Sequence, residues 1–141
     1  MARGSPWSSL SDAQRAAAFA ALVAEGRDVT WLDGGAASRG IVAFDADEVI
    51  ESDDPRAIAA IDARWRREPG SVWTGCISYD FAADLVLGRR PRSRALPGIV
   101  LRRSRSWIEG GPEGVRVFGA PPDPPAGLAV PGPWPLGPLA S

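Results

Sequence analysis

The sequence predicts an α+β fold in which a largely antiparallel sheet is flanked by helices. Short runs of β-branched and aromatic residues, bounded by Gly, Pro and Asp, predict the strands. Longer segments with apolar residues at helical spacing begin at capping residues and predict the helices. The elements follow in the order helix, strand, hairpin, helix, strand, short helix, hairpin, which is typical of α+β proteins. The length of 141 residues corresponds to one such domain.

The first helix is predicted from its capping residues and from one apolar face. Ser11 and Gln14 have the spacing of a capping box, in which a hydroxyl and an amide satisfy free backbone amides. An apolar stripe follows at helical spacing, formed by Ala16, Phe19, Leu22 and Val23. Gly26 supplies the stop, and Val29–Leu32 is then predicted to be a strand that ends in a turn at Asp33–Gly35.

The next segment predicts a hairpin and a second helix. Gly40–Phe44 and Glu48–Glu51 are strand-like runs joined by an acidic turn, so we expect them to pair with each other. Asp53 and Asp54 precede Pro55, which indicates a helix start with an acidic cap and proline in the first position. This helix should end at Pro69–Gly70, with Ile58, Ile61 and Trp65 on one face and Arg64, Arg66 and Arg67 in its last turn.

Ser71–Asp80 is predicted to be the central strand, running directly into a short helix at Phe81–Leu87. Its apolar residues alternate onto both faces, which favours a strand that is covered on both sides. Gly75 in its middle indicates a bulge or the close approach of another backbone. Because the chain has no His to activate it, Cys76 is expected to be a small buried hydrophobic residue.

A long strand, a hairpin and a proline-rich tail complete the predicted order. Ile99–Ile108 is predicted to be one strand, and a turn at Gly110–Gly114 leads into the hairpin with Val115–Phe118. From Ala120 to Ser141 the composition is dominated by Pro, Gly and Ala, which predicts an extended linker or tail without a core of its own. We therefore expect one domain over residues 1–119 and a tail over residues 120–141.

Composition excludes several kinds of catalytic centre. The chain has no His, and all of its 16 basic residues are Arg, so it lacks the commonest general base, the commonest metal ligand and a Schiff-base amine. Its single Cys allows neither an internal disulfide nor a thiolate metal cluster. The sequence shows no signal-peptide pattern and no apolar run that could span a bilayer, so a cytoplasmic protein without membrane contact is expected.

The charged residues allow more than one interpretation. Arg89–Arg94 predicts a basic loop, and Arg102, Arg103 and Arg105 follow it closely. We interpret them as a solvated or partner-contacting face. Contact with an anionic substrate or with nucleic acid is the alternative, although the net charge of −1 disfavours nucleic acid. The glycine pairs and acidic clusters lack phosphate-loop and EF-hand spacing, so residue chemistry alone predicts no self-sufficient active site.

Several segments, in order along nearly the whole chain, resemble the N-terminal domain of the chorismate-utilising enzymes. Gly75–Asp80 resembles the family's glycine-rich strand that ends in Tyr-Asp. The family's first helix is resembled by Phe19–Leu22, and its "W-L-D-S" strand by Val29–Gly34. The "L-P-D" before its next strand is resembled by Leu96–Ile99, and its linker to the catalytic domain by Trp134–Ser141. The resemblance is closer to aminodeoxychorismate synthase component I (para-aminobenzoate synthase) than to anthranilate synthase component I.

The resemblance implies the outer part of a β-sandwich with helices outside, wrapped around a chorismate-binding catalytic domain. In the family that domain carries the catalytic residues and Mg²⁺, so no cofactor and no independent chorismate amination are expected for this chain. The implied function is a scaffold or regulatory domain in the synthesis of 4-aminobenzoate, a folate precursor. The implied partners are the catalytic half and, through it, a glutamine amidotransferase. A fragment of anthranilate synthase in tryptophan synthesis is the alternative within the family.

The resemblance also implies one small-molecule site, for tryptophan. The matching positions are Asp33 and Gly34, followed by Ser38, Arg39 and Gly40. Gly34 departs from the family's serine, and the missing hydroxyl removes a hydrogen bond that is commonly worth about 1 kcal/mol. A free-standing sensor of aromatic amino acids, using the same residues, is the alternative function from a different class.

Overall fold

The computed structural model describes residues 4–32, 39–89 and 95–128. Helices and strands are interspersed along these ranges, as the sequence predicts. The elements are a 3-10 helix Pro6–Ser9, α1 Asp12–Ala24, β1 Val29–Leu32, β2 Gly40–Phe44, β3 Glu48–Ser52, α2 Arg56–Arg67, β4 Val72–Ile77, α3 Tyr79–Val86, β5 Ile99–Ser104, β6 Ser106–Gly111 and β7 Gly114–Phe118.

The predicted α+β class is confirmed, with two antiparallel sheets in place of one. A four-stranded sheet has the order β1-β2-β6-β7, and a three-stranded sheet has the order β3-β5-β4. Every strand pair in the two sheets is antiparallel. Such pairing lets one face of each sheet pack against helices while the other face meets the second sheet.

The two sheets pack face to face, with helices outside them. The outer face of the four-stranded sheet packs on α1 and on the 3-10 helix; this core contains Trp7, Ala18, Phe19, Leu22, Val42, Phe44 and Ile108. Its other face meets the three-stranded sheet through Ala43, Trp107 and Val72. The helix α2 lies on the far side of the three-stranded sheet, where Trp65 Nε1 donates a 3.1 Å hydrogen bond to the Ser71 carbonyl.

The helix starts follow local capping chemistry. In α1 both predicted hydrogen bonds of the capping box between Ser11 and Gln14 are present, and Gly26 follows the helix with a φ of 84°. The start of α2 differs from the prediction because Pro55 is the capping residue and makes no side-chain cap. The Asp54 carboxylate instead accepts a 2.9 Å hydrogen bond from the Arg56 amide, one residue inside the helix.

The predicted pairing of Gly40–Phe44 with Glu48–Glu51 is wrong. The strand β2 pairs with β1 and β6, whereas β3 pairs with β5 in the other sheet. The connection between them turns at Asp45, whose φ is 49° and whose amide donates a 2.8 Å hydrogen bond to the Asp28 carbonyl. The left-handed conformation of Asp45 turns the chain away from β2. Its hydrogen bond ties this turn to the residue before β1, and β3 then continues in the second sheet.

The single long strand predicted at Ile99–Ile108 is two strands. The strand β5 ends at Ser104 in the three-stranded sheet, and β6 begins at Ser106 in the four-stranded sheet. The chain bends at Arg105, where Gly119 approaches so closely that a Cβ at that glycine would lie 2.2 Å from the Arg105 carbonyl oxygen. The predicted hairpin that follows is confirmed by the pairing of β6 with β7.

The prediction of a central strand at Ser71–Asp80 is also wrong, because β5 is central and β4 lies at the sheet edge. Val72 and Thr74 are buried, but the second half of β4 is exposed, and Cys76 is an exposed free thiol. Tyr79 begins α3 and does not continue the strand, since the Ser78 hydroxyl accepts from the Phe81 amide as a helix cap. An edge position leaves the end of the strand without a covering layer, which explains the exposed thiol.

The described part of the tail, residues 120–128, contains no helix or strand but contacts the core. Trp7 Nε1 donates a 2.8 Å hydrogen bond to the Pro122 carbonyl. Leu128 packs, partly buried, against the core cluster of α1. The start of the tail therefore packs against Trp7 and the core beneath α1.

Candidate functional site

The sequence-predicted effector residues that the structure describes lie at a shallow cleft beside the β6–β7 hairpin. Gly40 is paired with Gly110 at the end of the four-stranded sheet, and Arg39 immediately precedes it. The cleft has a volume of about 100 Å³. We call it the hairpin cleft. It is lined by Arg39, Glu109, Gly110, Gly111, Glu113 and Arg116. Asp33, Gly34 and Ser38 lie outside the described residues.

Contacts on the hairpin hold the charged groups of the cleft in place. Glu109 accepts a 2.7 Å hydrogen bond from Arg116 and a 3.2 Å hydrogen bond from Trp107 Nε1. The Trp107 ring stacks on Phe118 with a centroid separation of 4.5 Å. The Arg39 side chain lies against Gly111, since a Cβ at that glycine would lie 3.4 Å from Arg39 Cγ, within ordinary contact distance.

The hairpin cleft combines guanidinium and carboxylate groups, which can bind the carboxylate and the ammonium of an amino acid. Its volume is well below the roughly 300–1,000 Å³ of typical small-molecule pockets, so it can hold a head group but not an indole ring. Sequence reasoning missed Glu109, Glu113 and Arg116, because the resemblance places the effector site only at Asp33, Gly34 and the segment 38–40. Glu109 and Arg116 carry opposite charges on the two sides of the predicted turn, and such a cross-strand pair is a signal that could have identified them.

A second group of charged residues, centred on Arg103, lies between α2 and the three-stranded sheet. Arg103 is buried and pairs with Asp47 at 2.8 Å and with Glu68 at 2.9 Å. Arg64 on α2 reaches Glu48 at 2.6 Å and lies over the Trp73 ring at 5.5 Å. The predicted solvated arginine face is therefore wrong for Arg103, while Arg90–Arg94 lie outside the described residues.

The arginines of this group lower the pKa values of its carboxyl groups. The hydrogen bond from Arg103 is the main cause of the lowered pKa of Asp47, and the hydrogen bond from Arg64 lowers the pKa of Glu48. Burial alone would raise the pKa of Glu68, but Arg64 and Arg103 together lower it. All three carboxylates are therefore ionised at neutral pH, and the group acts as a structural link between α2, β3 and β5.

Acid should weaken this link and destabilise the fold. Because the folded-state pKa values of Asp47, Glu48 and Glu68 lie below their unfolded values near 4, the unfolded chain binds more protons. The contribution to stability is complete above the unfolded values and is lost as the pH falls through about 4 toward the lowered pKa values. Urea unfolding between neutral pH and about pH 3 should show this loss.

A matched pair of substitutions assigns the acid sensitivity to the group around Arg103. In Arg103→Leu the dependence of stability on pH should be flatter, because Asp47 and Glu68 lose a cation that lowers their pKa values. Arg116→Leu removes an exposed ion pair with Glu109 and should leave the dependence unchanged. Equal pH dependence in the wild type and in Arg103→Leu would contradict this assignment.

The inner faces of the two sheets, which point toward each other, are only partly covered. Residues directly opposite each other on paired strands share a face. Leu32 is opposite Ile41, which packs on the inter-sheet cluster, and Leu32 is 44% exposed. Val49 lies opposite Arg102 of β5, which lies opposite Thr74 of β4, so Val49 is on the same face of the sheet as Thr74 and Val72. Val49 is 47% exposed. Each inner face therefore leaves one apolar side chain partly exposed, Leu32 at the end of β1 and Val49 near the start of β3.

Three further features bear on what the chain can bind. Across the described ranges, no group of three or more His, Cys, Asp or Glu is placed to hold a metal ion. None of the helices in these ranges has the length and apolar character that crossing a bilayer requires. Comparison of the chain with protein-family models, with curated proteins and with solved structures found no match.

Proposed function

We propose that the chain is a non-catalytic scaffold or regulatory domain of the chorismate-utilising type, closest to the N-terminal domain of aminodeoxychorismate synthase component I. Its partner is a chorismate-binding catalytic domain, on the same or on a separate polypeptide, and through it a glutamine amidotransferase. The complex would serve the synthesis of 4-aminobenzoate. The observation that carries the proposal is the partly open space between the two sheets.

An open sandwich has a physical reason to bind another layer. Leu32 and Val49 expose nearly half of their side-chain surface on faces that elsewhere form the inter-sheet core. Covering the exposed half of each side chain contributes roughly 0.7–1.5 kcal/mol, about half of the value for full burial. A partner that inserts between or against the two faces would therefore complete the sandwich, as the family resemblance implies for the catalytic domain.

The chemistry of the chain supports a role without catalysis of its own. The sequence contains neither His nor Lys. The buried Arg103 is paired with the partly exposed carboxylates of Asp47 and Glu68, which suits a structural role. In this proposal the catalytic residues and Mg²⁺ belong to the partner domain, and this chain positions or regulates that domain.

The proposal is tested by titrating the chain with the chorismate-binding domain of an aminodeoxychorismate synthase component I. We expect a complex at micromolar concentration. Leu32→Asp and Val49→Asp should each weaken the complex about tenfold or more. Each substitution buries a charge in an apolar contact, and a cost of at least about 1.4 kcal/mol corresponds to that tenfold loss of affinity. Val23→Asp is the matched control, since Val23 is 54% exposed on α1, which packs on the outer face of the four-stranded sheet.

Two results would count against the scaffold proposal. One is the absence of a complex with wild-type protein at micromolar concentration. The other is equal weakening by Val23→Asp and by the two inner-face variants, which would show that binding does not use the partly exposed inner faces of the sheets. Circular dichroism of each variant checks that the fold is retained.

The alternative function, a free-standing sensor of aromatic amino acids, is favoured by the charged groups of the hairpin cleft. Isothermal titration calorimetry separates the two functions when tryptophan, tyrosine, phenylalanine and chorismate are titrated into the chain alone. Heat with an amino acid, and its loss in Arg39→Ala, would favour the sensor. Absence of heat with all four would leave the scaffold as the better proposal.

A further inference from the structure

Within the described residues, the three-stranded sheet has two edge strands, and they differ in charge. The edge strand β3 carries Glu48 and Glu51, and Asp47 and Asp53 flank it. The other edge strand, β4, has the sequence VWTGCI, with neither a charged residue nor a proline. Charged side chains and prolines are the usual means by which edge strands avoid pairing with another chain. The β4 edge has none of these protections.

The second half of β4 is also open to solvent. Gly75, Cys76 and Ile77 are exposed, and Ile77 is 44% accessible. Tyr79, just beyond the strand, is 86% accessible. Gly75 has no side chain to shield the backbone, so the edge presents hydrogen-bonding groups next to apolar surface.

We propose that two copies of the chain associate through β4, antiparallel about a two-fold axis that passes beside Cys76. The two three-stranded sheets would join into one continuous sheet of twice that width. A two-fold contact uses the same surface on both copies and closes on itself, so it gives a dimer and not a fibre. The inference is independent of the proposed scaffold function.

The charges around β4 favour an antiparallel partner of the same kind. The helix α2 ends in basic residues, including the exposed Arg67, close before the start of β4. The helix α3 begins just after β4 and has the exposed Asp80 in its first turn. With the axis beside Cys76, Gly75 of one copy pairs with Ile77 of the other, and Val72 at the start of one strand stands opposite Asp80 of the second copy. Arg67 of each copy then approaches Asp80 of the second copy, at two symmetric places.

The proposed register can be tested through the thiol of Cys76. With the axis beside Cys76, this residue stands opposite itself, with a Cα separation of about 4.5–5.5 Å. Disulfides form across Cα separations of about 4.4–6.8 Å. Diamide should therefore oxidise the two thiols to an intermolecular disulfide, accepting their two electrons and two protons. Cys76 is the only cysteine in the chain, so the product has one possible linkage.

The test measures the mass of the full chain in solution by sedimentation equilibrium over the micromolar range. We expect a reversible dimer and, after diamide treatment, a covalent dimer on a non-reducing gel. Ile77→Arg should weaken association about tenfold or more, because it places two like charges near the axis. Val49→Arg is the matched control on the opposite edge strand, with a similar exposure of 47% against 44% for Ile77.

Each outcome of this test decides the proposal. Cys76→Ser should abolish the covalent dimer and leave the reversible dimer intact. A monomer throughout the micromolar range, or equal weakening by Val49→Arg and Ile77→Arg, would overturn it. If circular dichroism shows that Ile77→Arg is unfolded, Tyr79→Arg replaces it at the more exposed neighbouring position. Binding of the chorismate-binding domain is measured separately, so failure of one proposal leaves the other standing.

Discussion

Replacing Trp7 with alanine is expected to lower the free energy of unfolding by about 4 kcal/mol, within the range for truncating a buried aromatic side chain. The Trp7 side chain is 1% exposed and stacks on Phe19 with a centroid separation of 5.2 Å. The Trp7 ring also packs against the Phe44 ring, with a centroid separation of 5.9 Å. Alanine would leave a cavity among these rings and would leave the Pro122 carbonyl without its 2.8 Å hydrogen bond.

Trp65→Ala is the matched control for this experiment. Trp65 also donates one hydrogen bond to a backbone carbonyl, that of Ser71, at 3.1 Å, but it is half exposed on α2. We expect Trp65→Ala to cost about 1 kcal/mol, because little buried volume is lost. Urea unfolding followed by circular dichroism measures both variants. Equal losses would contradict the central position of Trp7 in the core.

The importance of Trp7 could not be predicted from the sequence. It lies in a short 3-10 helix without apolar periodicity, so the first ten residues gave no signal for a core position. Its hydrogen-bond partner, Pro122, is 115 positions away in a segment whose composition predicts a tail. Local patterns report which residues prefer a helix or a strand, but not which distant segment covers them.

The same distinction explains which strands were predicted well. The β6–β7 hairpin and the start of α1 were predicted because glycine-rich turn and capping-box chemistry lie within a few residues. The partners of β2 and β3 were not, because alternation fixes the face of a strand and leaves its neighbour open. For the candidate site, the sequence located Arg39 and Gly40, whereas Glu109 and Arg116 reach the cleft only through strand pairing.

Gly75→Ala is expected to destabilise the fold by about 3 kcal/mol, at the upper end of the usual cost of overpacking. The sequence predicted either a bulge or a close backbone approach at this glycine, and the structure shows the close approach. A Cβ at Gly75 would lie 1.9 Å from the Val100 carbonyl oxygen. A backbone atom of the central strand cannot rotate away as a side chain can. Alanine must therefore push β4 away from β5 and weaken the ladder between them.

Gly110→Ala tests whether this cost comes from the close approach and not from the loss of a glycine. Gly110 also lies within a strand, β6, but a Cβ there would meet no atom within 4 Å. We expect its free energy of unfolding to change by less than about 0.5 kcal/mol. Thermal and urea unfolding of both variants provide the comparison. If Gly75→Ala were as stable as Gly110→Ala, the ladder between β4 and β5 would not be held at this separation, and the edge proposed for self-association would have a different geometry.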